Sequence, residues 1–430
     1  MKTALVNGFV IDGTIGCKAE KADVLIQDGR LMFIGDASKK SMEGYELIDC
    51  TGKYIMPGLI NMHAHLFGTG KPSKILGGGG LQKAVLGFIK TAPGRKVLDS
   101  LVASSVEAEL DSGVTTLRSV GDFHNSDLRI RDKVKAGKLP GPRMYCSGTA
   151  ITVPGGHGDG NFAETGATPE ELVRLVQQHA DDGVDFIKIC VTGGVMDATE
   201  KGSPGELKMS LEQTKAVCEK AHEFGLKVAS HTESPAGMEV AIEGGVDTIE
   251  HGAPFDEQHA AILRERKGGV ILTFTPALPL ARLSPEITKL SELCVYNSEV
   301  VMEGMREGGK MAEKAGIPIG LGTDASCPFA TQYNMWREVC YYHKLMEATP
   351  DKAIYAATLS NAKILGVDEI TGSVEEGKFA DLLVLNENPL KDLTAMREPF
   401  AVLKEGQIRY PKLKKNKEME QELDQLYDSL

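Results

Sequence analysis

"QQHADDGVDFIKICVTGG", residues 177–194, contains the structural unit that decides the fold. Its first half has the apolar spacing of an amphipathic helix, Gly183 can end that helix with a positive φ, and the following apolar run is typical of a buried strand. Four other segments repeat this order: EAELDSGVTTLRSV (107–120), EKAHEFGLKVASHT (219–232), AIEGGVDTIEHG (241–252) and AEKAGIPIGLGTDAS (312–326). Ser210 and Gln213 fit the capping box that begins a helix between two of these strands.

Three further strand candidates bring the total to eight, at 54–66, 142–151 and 269–278. Helix-length segments separate all eight, which predicts an α/β fold of the (β/α)8 TIM barrel type. An open doubly wound sheet is the alternative, but its Gly-x-Gly-x-x-Gly turn after a first strand is missing. The glycine run at 77–80 follows a loop, so we interpret it as a lid or hinge and not as a phosphate-binding turn.

The two ends of the chain have a different pattern, with short alternating strands and turn signals. Neither end is long enough to bury a sheet alone, so we expect both to form one small β-sandwich beside the barrel. The predicted organisation is 1–57 for the first part of the sandwich, 58–366 for the barrel, 367–411 for the second part and 412–430 for a solvated helical tail.

Composition excludes several classes of function. The formal net charge of −12 leaves no excess of Lys and Arg to neutralise phosphates, which argues against nucleic acid as a partner. No apolar stretch approaches a membrane span, and the N-terminus lacks the pattern of a signal peptide. The eight cysteines are scattered, as expected of reduced thiols in a cytoplasmic protein.

Polar residues occupy the predicted carboxyl ends of the barrel strands, where such folds build their active sites. They are His63 and His65 after strand one, Lys188 in strand four, His231 after strand five, His251 after strand six and Asp324 after strand eight. Two residues two apart in a strand project from the same side, so His63 and His65 can converge on one cation. Imidazole and carboxylate ligands suit Zn²⁺, which predicts a metal site.

Lys188 is the unusual member of this set because Phe186, Ile187 and Ile189 surround it in the sequence. Burying a charged lysine among apolar side chains is unfavourable unless an acidic residue pairs with it. Desolvation also lowers the pKa of a lysine and frees its amine as a nucleophile. The sequence therefore predicts either a buried ion pair or a chemically modified lysine.

Several strings together resemble the amidohydrolase superfamily over nearly the whole chain. They are PGLINMHAHL, the lysine in IKI, the isolated strand-end histidines, GTDA and GSVEEGKFADLLVLNENPL. The resemblance implies metal-dependent hydrolysis at a binuclear centre, with Lys188 carboxylated by CO₂ to form a bridge. One ion would be held by His63, His65 and Asp324 and the other by His231 and His251, with a bridging hydroxide as nucleophile and Asp324 as proton shuttle.

Within this superfamily the chain is most similar to the imidazolonepropionase-related peptidases, which cleave Xaa-Pro or other dipeptides and N-acyl amino acids. The matching strings are TTLRSVGD, TVPGGHGD and CVTGGVMD, which follow strands two, three and four. The resemblance implies a dipeptidase-like or carboxypeptidase-like amide hydrolase and a homo-oligomer. A hydantoinase-like cyclic amide hydrolase or a lactonase would share all six ligands. A deaminase would need no lysine in strand four, and a non-catalytic relative would typically have lost ligands.

Three residues are predicted substrate contacts. His157 lies in a glycine-rich loop and has no structural role in a predicted helix or in the core. We therefore expect it to touch substrate and polarise the scissile carbonyl. Arg118 could bind a substrate carboxylate or pair with Asp122 or another local acid. Glu233 stands where these peptidases often carry a second histidine, and it could select a basic group or cap the following helix.

Overall fold

The computed structural model describes residues 2–72 and 80–430, apart from the side chains at positions 80 and 81. Of the predicted hinge at 77–80, residues 77–79 lie outside this range. The strands are β1 (Lys2–Val10), β2 (Glu20–Gln27), β3 (Arg30–Gly35), β4 (Glu46–Asp49), β5 (Tyr54–Pro57), β6 (Leu59–Ala64), β7 (Val114–Ser119), β8 (Arg143–Cys146), β9 (Ala150–Thr152), β10 (Ala163–Thr165), β11 (Ile187–Cys190), β12 (Val228–Thr232), β13 (Thr248–His251), β14 (Gly269–Leu272), β15 (Ile319–Leu321), β16 (Leu382–Leu385), β17 (Ala401–Lys404) and β18 (Gln407–Arg409).

Helices alternate with the central strands, as the sequence pattern predicts. The α-helices are α1 (Gly80–Ile89), α2 (Ala92–Asp111), α3 (Ser126–Lys135), α4 (Pro169–Asp181), α5 (Leu211–Glu223), α6 (Pro235–Gly244), α7 (Glu257–Glu265), α8 (Phe274–Arg282), α9 (Pro285–Thr288), α10 (Glu292–Ala315), α11 (Met335–Leu345), α12 (Pro350–Tyr355), α13 (Asn361–Leu365) and α14 (Lys417–Asp428). The predicted capping box is present, since Ser210 and Gln213 bond reciprocally at the start of α5. Within the described residues, we find no helix with the length and apolar character that crossing a bilayer requires.

The core of the chain is a mixed α/β structure with parallel strands. Seven strands pair in the order β10-β9-β11-β12-β13-β14-β15, and three more pair as β6-β7-β8. The third predicted strand is divided into β8 and β9, because Gly148 between them adopts a φ of +66°. β8 pairs with β7, whereas β9 contacts β11 at Ile151 and Ile189. The predicted α/β class is confirmed, and the closed eight-stranded barrel stays a prediction.

Strands from both ends of the chain form one sheet. Its order is β18-β17-β16-β5-β1-β2-β3, and β4 pairs with β1. The sheet has its own apolar core, in which Leu5, Val24 and Ile55 pack with Leu382 and Leu403. The N-terminal and C-terminal segments therefore pack together, while the exact domain boundaries stay a prediction.

The C-terminal tail is a helix, but the expectation that it is solvated is wrong. In α14, Met419 and Leu423 are buried against Leu280 and Phe329. These two residues lie four apart, so they form one apolar stripe on the helix. Of the charged residues that suggested solvation, Lys412, Lys414 and Lys415 precede α14, and Glu420 is itself buried and accepts a hydrogen bond from Arg337 at 2.9 Å.

Candidate metal centre and active site

Three of the predicted ligands meet where the first and eighth predicted strands end. His63 lies in β6, His65 follows it directly, and Asp324 follows β15. Asp324 Oδ1 lies 3.5 Å from His63 Nε2 and 3.4 Å from His65 Nε2. The backbone amide of Asp324 donates to the carbonyl oxygen of His63 at 2.8 Å, which fixes the spacing of the two elements. Two imidazole nitrogens and one carboxylate oxygen thus converge on a space that suits one cation.

A second group of ligand atoms lies beside the first. His231 in β12 and His251 at the end of β13 have ring centroids 4.7 Å apart, and a carboxylate oxygen of Glu233 completes a group whose atoms lie within 4.8 Å of one another. The ring of His251 is also 4.8 Å from that of His63. The two groups are therefore adjacent, as a pair of neighbouring cations would require.

Each of the four histidines uses one ring nitrogen for a hydrogen bond inside the protein. The bonds join His63 Nδ1 to Glu250 Oε2 (2.7 Å), His65 Nδ1 to the Gly121 carbonyl (2.6 Å), His251 Nδ1 to Thr273 Oγ1 (2.7 Å) and His231 Nε2 to the Gly193 carbonyl (3.2 Å). Such bonds orient a metal-binding imidazole and determine which nitrogen is available to the metal. The available nitrogen is Nε2 in the first three rings and Nδ1 in His231.

Lys188 is buried beside both groups. Lys188 is 2% exposed, and among the residues that the structure describes its buried Nζ atom has no hydrogen-bond partner. Burial lowers the pKa of Lys188, although the nearby carboxylate of Glu250 opposes this shift. An unpartnered buried amine is energetically unfavourable, and a carboxylated amine facing cations would remove this penalty. The donor set and this amine together fit a pair of divalent ions.

The electrostatics of the site favour the protonation states that bind cations. Burial lowers the pKa of His65 to about 4 and lowers the pKa values of His231 and His251 well below the ordinary value. Burial would raise the pKa of Asp324, but His63 and the other nearby histidines hold it well below its usual range. Neutral imidazoles and an ionised carboxylate are the forms that coordinate a metal.

Arg118 does not reach the substrate space, so its predicted contact with a substrate carboxylate is wrong. The side chain is 4% exposed, and Nη2 donates to both oxygens of Glu250 at 2.6 and 2.7 Å. Nε donates to the Met62 carbonyl at 2.6 Å and Nη1 to Thr248 Oγ1 at 3.0 Å. Its acidic partner is therefore Glu250 from β13 and not Asp122.

Glu250 is the functional residue that sequence reasoning missed. It accepts the hydrogen bond from His63 and the ion pair from Arg118, and it also acts electrostatically on Lys188. Burial opposes its ionisation, but Arg118 and His63 hold its pKa well below the usual range. The available signal was similar to that for Lys188, namely a charged residue that follows an isoleucine inside a predicted strand.

His157 lies at the edge of the site. Its ring stacks on that of His231, with centroids 4.1 Å apart and planes 9° from parallel. Nδ1 donates to Asp197 Oδ2 at 2.5 Å, so Nε2 is the nitrogen left for a ligand. The glycine-rich loop thus brings His157 to the second group of ligand atoms, and its contact with substrate stays a prediction.

Glu233 faces the same space. Its side chain is 9% exposed, and Oε1 lies 3.9 Å from His231 Nε2. Oε2 is buried and has no hydrogen-bond partner within residues 2–72 and 80–430. Burial, with smaller effects from Asp324 and Asp197, raises the pKa of Glu233 to about 8. The alternative role as a helix cap is wrong, because Ser234 caps α6 by accepting a bond from the Gly237 amide.

The thiols near the site do not supply a nucleophile. All eight cysteines are free, as predicted. Burial raises the pKa of Cys190 to about 12 and that of Cys327 well above its ordinary value. Both side chains are therefore protonated near neutral pH, and the thiolate is the nucleophilic form.

The sequence profile of the Amidohydrolase family matches residues 54–409. The chain belongs to this family. The match covers the two parallel sheets, the candidate ligands and part of the terminal sheet. The predicted membership of the amidohydrolase superfamily is thus confirmed, and this amidohydrolase is a metal-dependent hydrolase that acts on carbon–nitrogen bonds.

Three similar proteins extend the comparison. A Bifidobacterium longum protein provisionally described as a prolidase is 36% identical, with a TM-score of 0.86 and coverage of 99% of each chain. A Xaa-Pro dipeptidase, solved with methionine bound in its active site, is 29% identical with a TM-score of 0.80, and the match covers 95% of this chain and 100% of that one. Ochratoxinase from Aspergillus niger is 26% identical over 428 residues, which represents 93% of this chain and 84% of the relative.

We expect Arg118→Met to destabilise this amidohydrolase by about 3–5 kcal/mol, because it leaves Glu250 buried and without its cationic partner. Glu250→Gln combined with Arg118→Met should be less destabilising than the sum of the two single variants, since the double variant leaves neither charge unpaired. Urea unfolding of the metal-free proteins measures both effects. If the loss of unfolding free energy in the double variant equals the sum of the losses in the two single variants, Arg118 and Glu250 are not a coupled pair.

Proposed function

We propose that this amidohydrolase holds two divalent cations and hydrolyses the amide bond of a dipeptide or an N-acyl amino acid. The observation that carries this proposal is the position of Lys188. Its unpartnered amine influences the pKa values of His65, His231 and His251, so it lies within electrostatic range of both groups of ligand atoms. A bridging role accounts for a lysine at this position, whereas a mononuclear site leaves it unexplained.

We also infer that the parallel strands close into an eight-membered barrel, with β8 and β9 together as the third strand. Contacts between β6 and the end of β15 support closure. Ala64 pairs with Ala325, and Asn61 Nδ2 donates to Thr323 Oγ1 at 2.8 Å. Asn361 Nδ2 donates to the carbonyls of Ile60 at 2.7 Å and Leu321 at 2.9 Å, and so joins the first and last strands.

The residues for the two ions follow from the two groups. His63, His65 and Asp324 would hold one ion, His231 and His251 the other, and the carboxylated Lys188 would contact both. Divalent ions bound here, for which these donors suit Zn²⁺, would polarise a carbonyl and lower the pKa of water so that a nucleophilic hydroxide forms near neutral pH. Asp324 accepts the proton of the attacking water on a carboxylate oxygen and transfers it to the leaving nitrogen. His157 contacts the substrate through Nε2, the ring nitrogen that the bond to Asp197 leaves free.

The substrate class is inferred from two sources. The first is similarity to a Xaa-Pro dipeptidase and to a protein described as a prolidase. The second is Glu233, whose buried and unpartnered Oε2 faces the same space as Asp324 and Asp197. A positively charged group on the substrate would stabilise this carboxylate in its ionised form. We therefore propose substrates that carry a basic group close to the scissile amide.

Hydrolysis assays on the zinc-loaded enzyme test the proposal, together with a count of tightly bound zinc per chain. The substrates are dipeptides, including Xaa-Pro, and N-acyl amino acids, with hydantoins and lactones as controls. Lysyl and norleucyl substrates, each with a free and an acetylated amino terminus, separate the effect of charge from that of size. We expect about two zinc ions per chain, as in two-metal sites, and cleavage of the linear amides.

Glu233→Gln is expected to reduce the preference for the charged member of each pair by about 10–100-fold, the range for a hydrogen bond to a charged group. Glu206→Gln is the matched control, because Glu206 is an exposed acid of a neighbouring loop that pairs with Lys208. An unchanged preference would remove Glu233 from substrate selection. One zinc per chain would contradict the binuclear centre, and activity confined to hydantoins or lactones would contradict the substrate class.

A further inference from the structure

Asp197 links two loops at the mouth of the site. It lies in the loop after β11, and His157 lies in the loop after β9. Asp197 Oδ2 accepts one hydrogen bond from His157 Nδ1 at 2.5 Å and another from the Gly194 amide at 2.9 Å. The second bond fixes the carboxylate on its own loop, so the first can fix the imidazole. Burial raises the pKa of Asp197, but the hydrogen bonds from His157 and the Gly194 amide, together with the nearby Lys208, outweigh burial, so the pKa is lowered overall and the carboxylate stays ionised.

The imidazole of His157 is held on two further sides. One face stacks on His231, and its contact with Phe162 is edge-to-face at a centroid distance of 5.5 Å. Gly194 allows this approach, since a Cβ atom there would lie 3.0 Å from both Nδ1 and Cε1 of His157. Packing therefore defines the plane of the ring, but packing alone does not distinguish the two ring orientations that a half-turn about χ2 exchanges.

We propose that Asp197 is a positioning residue, which holds the Nδ1–H group of His157 and so fixes the orientation and tautomer of the ring, with the lone pair of Nε2 presented to a hydrogen-bond donor of the substrate. A carboxylate accepts hydrogen bonds only, so Nδ1 must carry the proton in the bond between the two residues. This inference rests on the proposed role of His157 as a substrate contact. The effect of Asp197 on the ring, however, exists whether or not a dipeptide is the substrate.

The activity test compares Asp197→Ala and Asp197→Asn in the zinc-loaded enzyme. We expect Asp197→Ala to lower kcat by about 10–100-fold, the usual effect of removing an orienting partner, with KM changed less than about 3-fold. In Asp197→Asn the amide oxygen can occupy the position of Oδ2 and accept both bonds, so most of the activity should return. Glu206→Gln, which removes a charge from the same loop, is the control.

A double-mutant cycle and a spectroscopic measurement complete the test. In a His157→Ala background, Asp197→Ala should lower kcat less than about 2-fold further, because the residue that it positions is absent. The ¹⁵N NMR spectrum of histidine-labelled enzyme, assigned with His157→Ala, should show His157 as a single Nδ1-protonated tautomer that is lost in Asp197→Ala. Additive losses of activity, or an unchanged His157 signal in Asp197→Ala, would overturn the inference. Failure to cleave dipeptides with the tautomer effect intact would contradict only the proposed function.

Discussion

Asp324→Asn is expected to lower kcat by about 10³–10⁴-fold or more while leaving the fold intact, because the amide cannot accept and return a proton. Asparagine is the appropriate substitution for two reasons. Position 324 has a left-handed backbone with a φ of +48°, a conformation that Asp and Asn tolerate better than most residues. The side chain also keeps its size and one oxygen towards His63 and His65.

The measurement is a steady-state assay with the best substrate of the screen, with bound zinc and thermal unfolding recorded for each variant. Asp351→Asn is the matched control, since that carboxylate accepts a hydrogen bond from the Gly16 amide but is not among the candidate ligands. We expect full activity from this control. An Asp324→Asn protein with full activity would exclude Asp324 as the proton carrier. Loss of bound zinc from Asp324→Asn would show that the main role of Asp324 is to bind metal.

The ligand candidates could be predicted because local sequence determines them. His63 and His65 lie two apart at a strand end, His231 lies near the end of β12, His251 ends β13 and Asp324 follows β15. Alternation along a strand and the common edge of parallel strands then bring them together. The same reasoning predicted the α/β class, since each strand follows a helix that a glycine or a turn ends.

The residues that support these ligands could not be predicted in the same way, because their partners are distant in the chain. Glu250 and His63 are separated by 187 positions, and Arg118 and Glu250 by 132. Nothing near Arg118 in the sequence indicates that its guanidinium enters the interior rather than the substrate space. The third strand is divided at Gly148, which has a left-handed backbone. The residues on both sides of Gly148 are typical of strands, so the sequence does not indicate this break.

Lys188→Met is expected to remove about one zinc ion per chain and to lower kcat/KM by about 10³-fold or more, since the second ion then has too few protein ligands for tight binding. Methionine fills a similar volume without a charge, so the buried strand should tolerate it. The carboxylated form is measured directly by ¹³C NMR of the zinc-loaded enzyme after incubation with labelled bicarbonate. We expect a carbamate signal in the native protein that is absent in Lys188→Met.

Lys227→Met provides the matched control for a desolvated lysine. Burial lowers the pKa of Lys227 as well, but its Nζ donates to the Ile364 carbonyl at 2.9 Å and therefore has a partner. This variant should keep both zinc ions, the carbamate signal and the activity, although it loses one hydrogen bond. The decisive difference between the two lysines is the missing partner of Lys188, because only an amine without a hydrogen-bond partner gains from becoming an anion between two cations. Two zinc ions in Lys188→Met, or no carbamate in the active native enzyme, would contradict the bridging role.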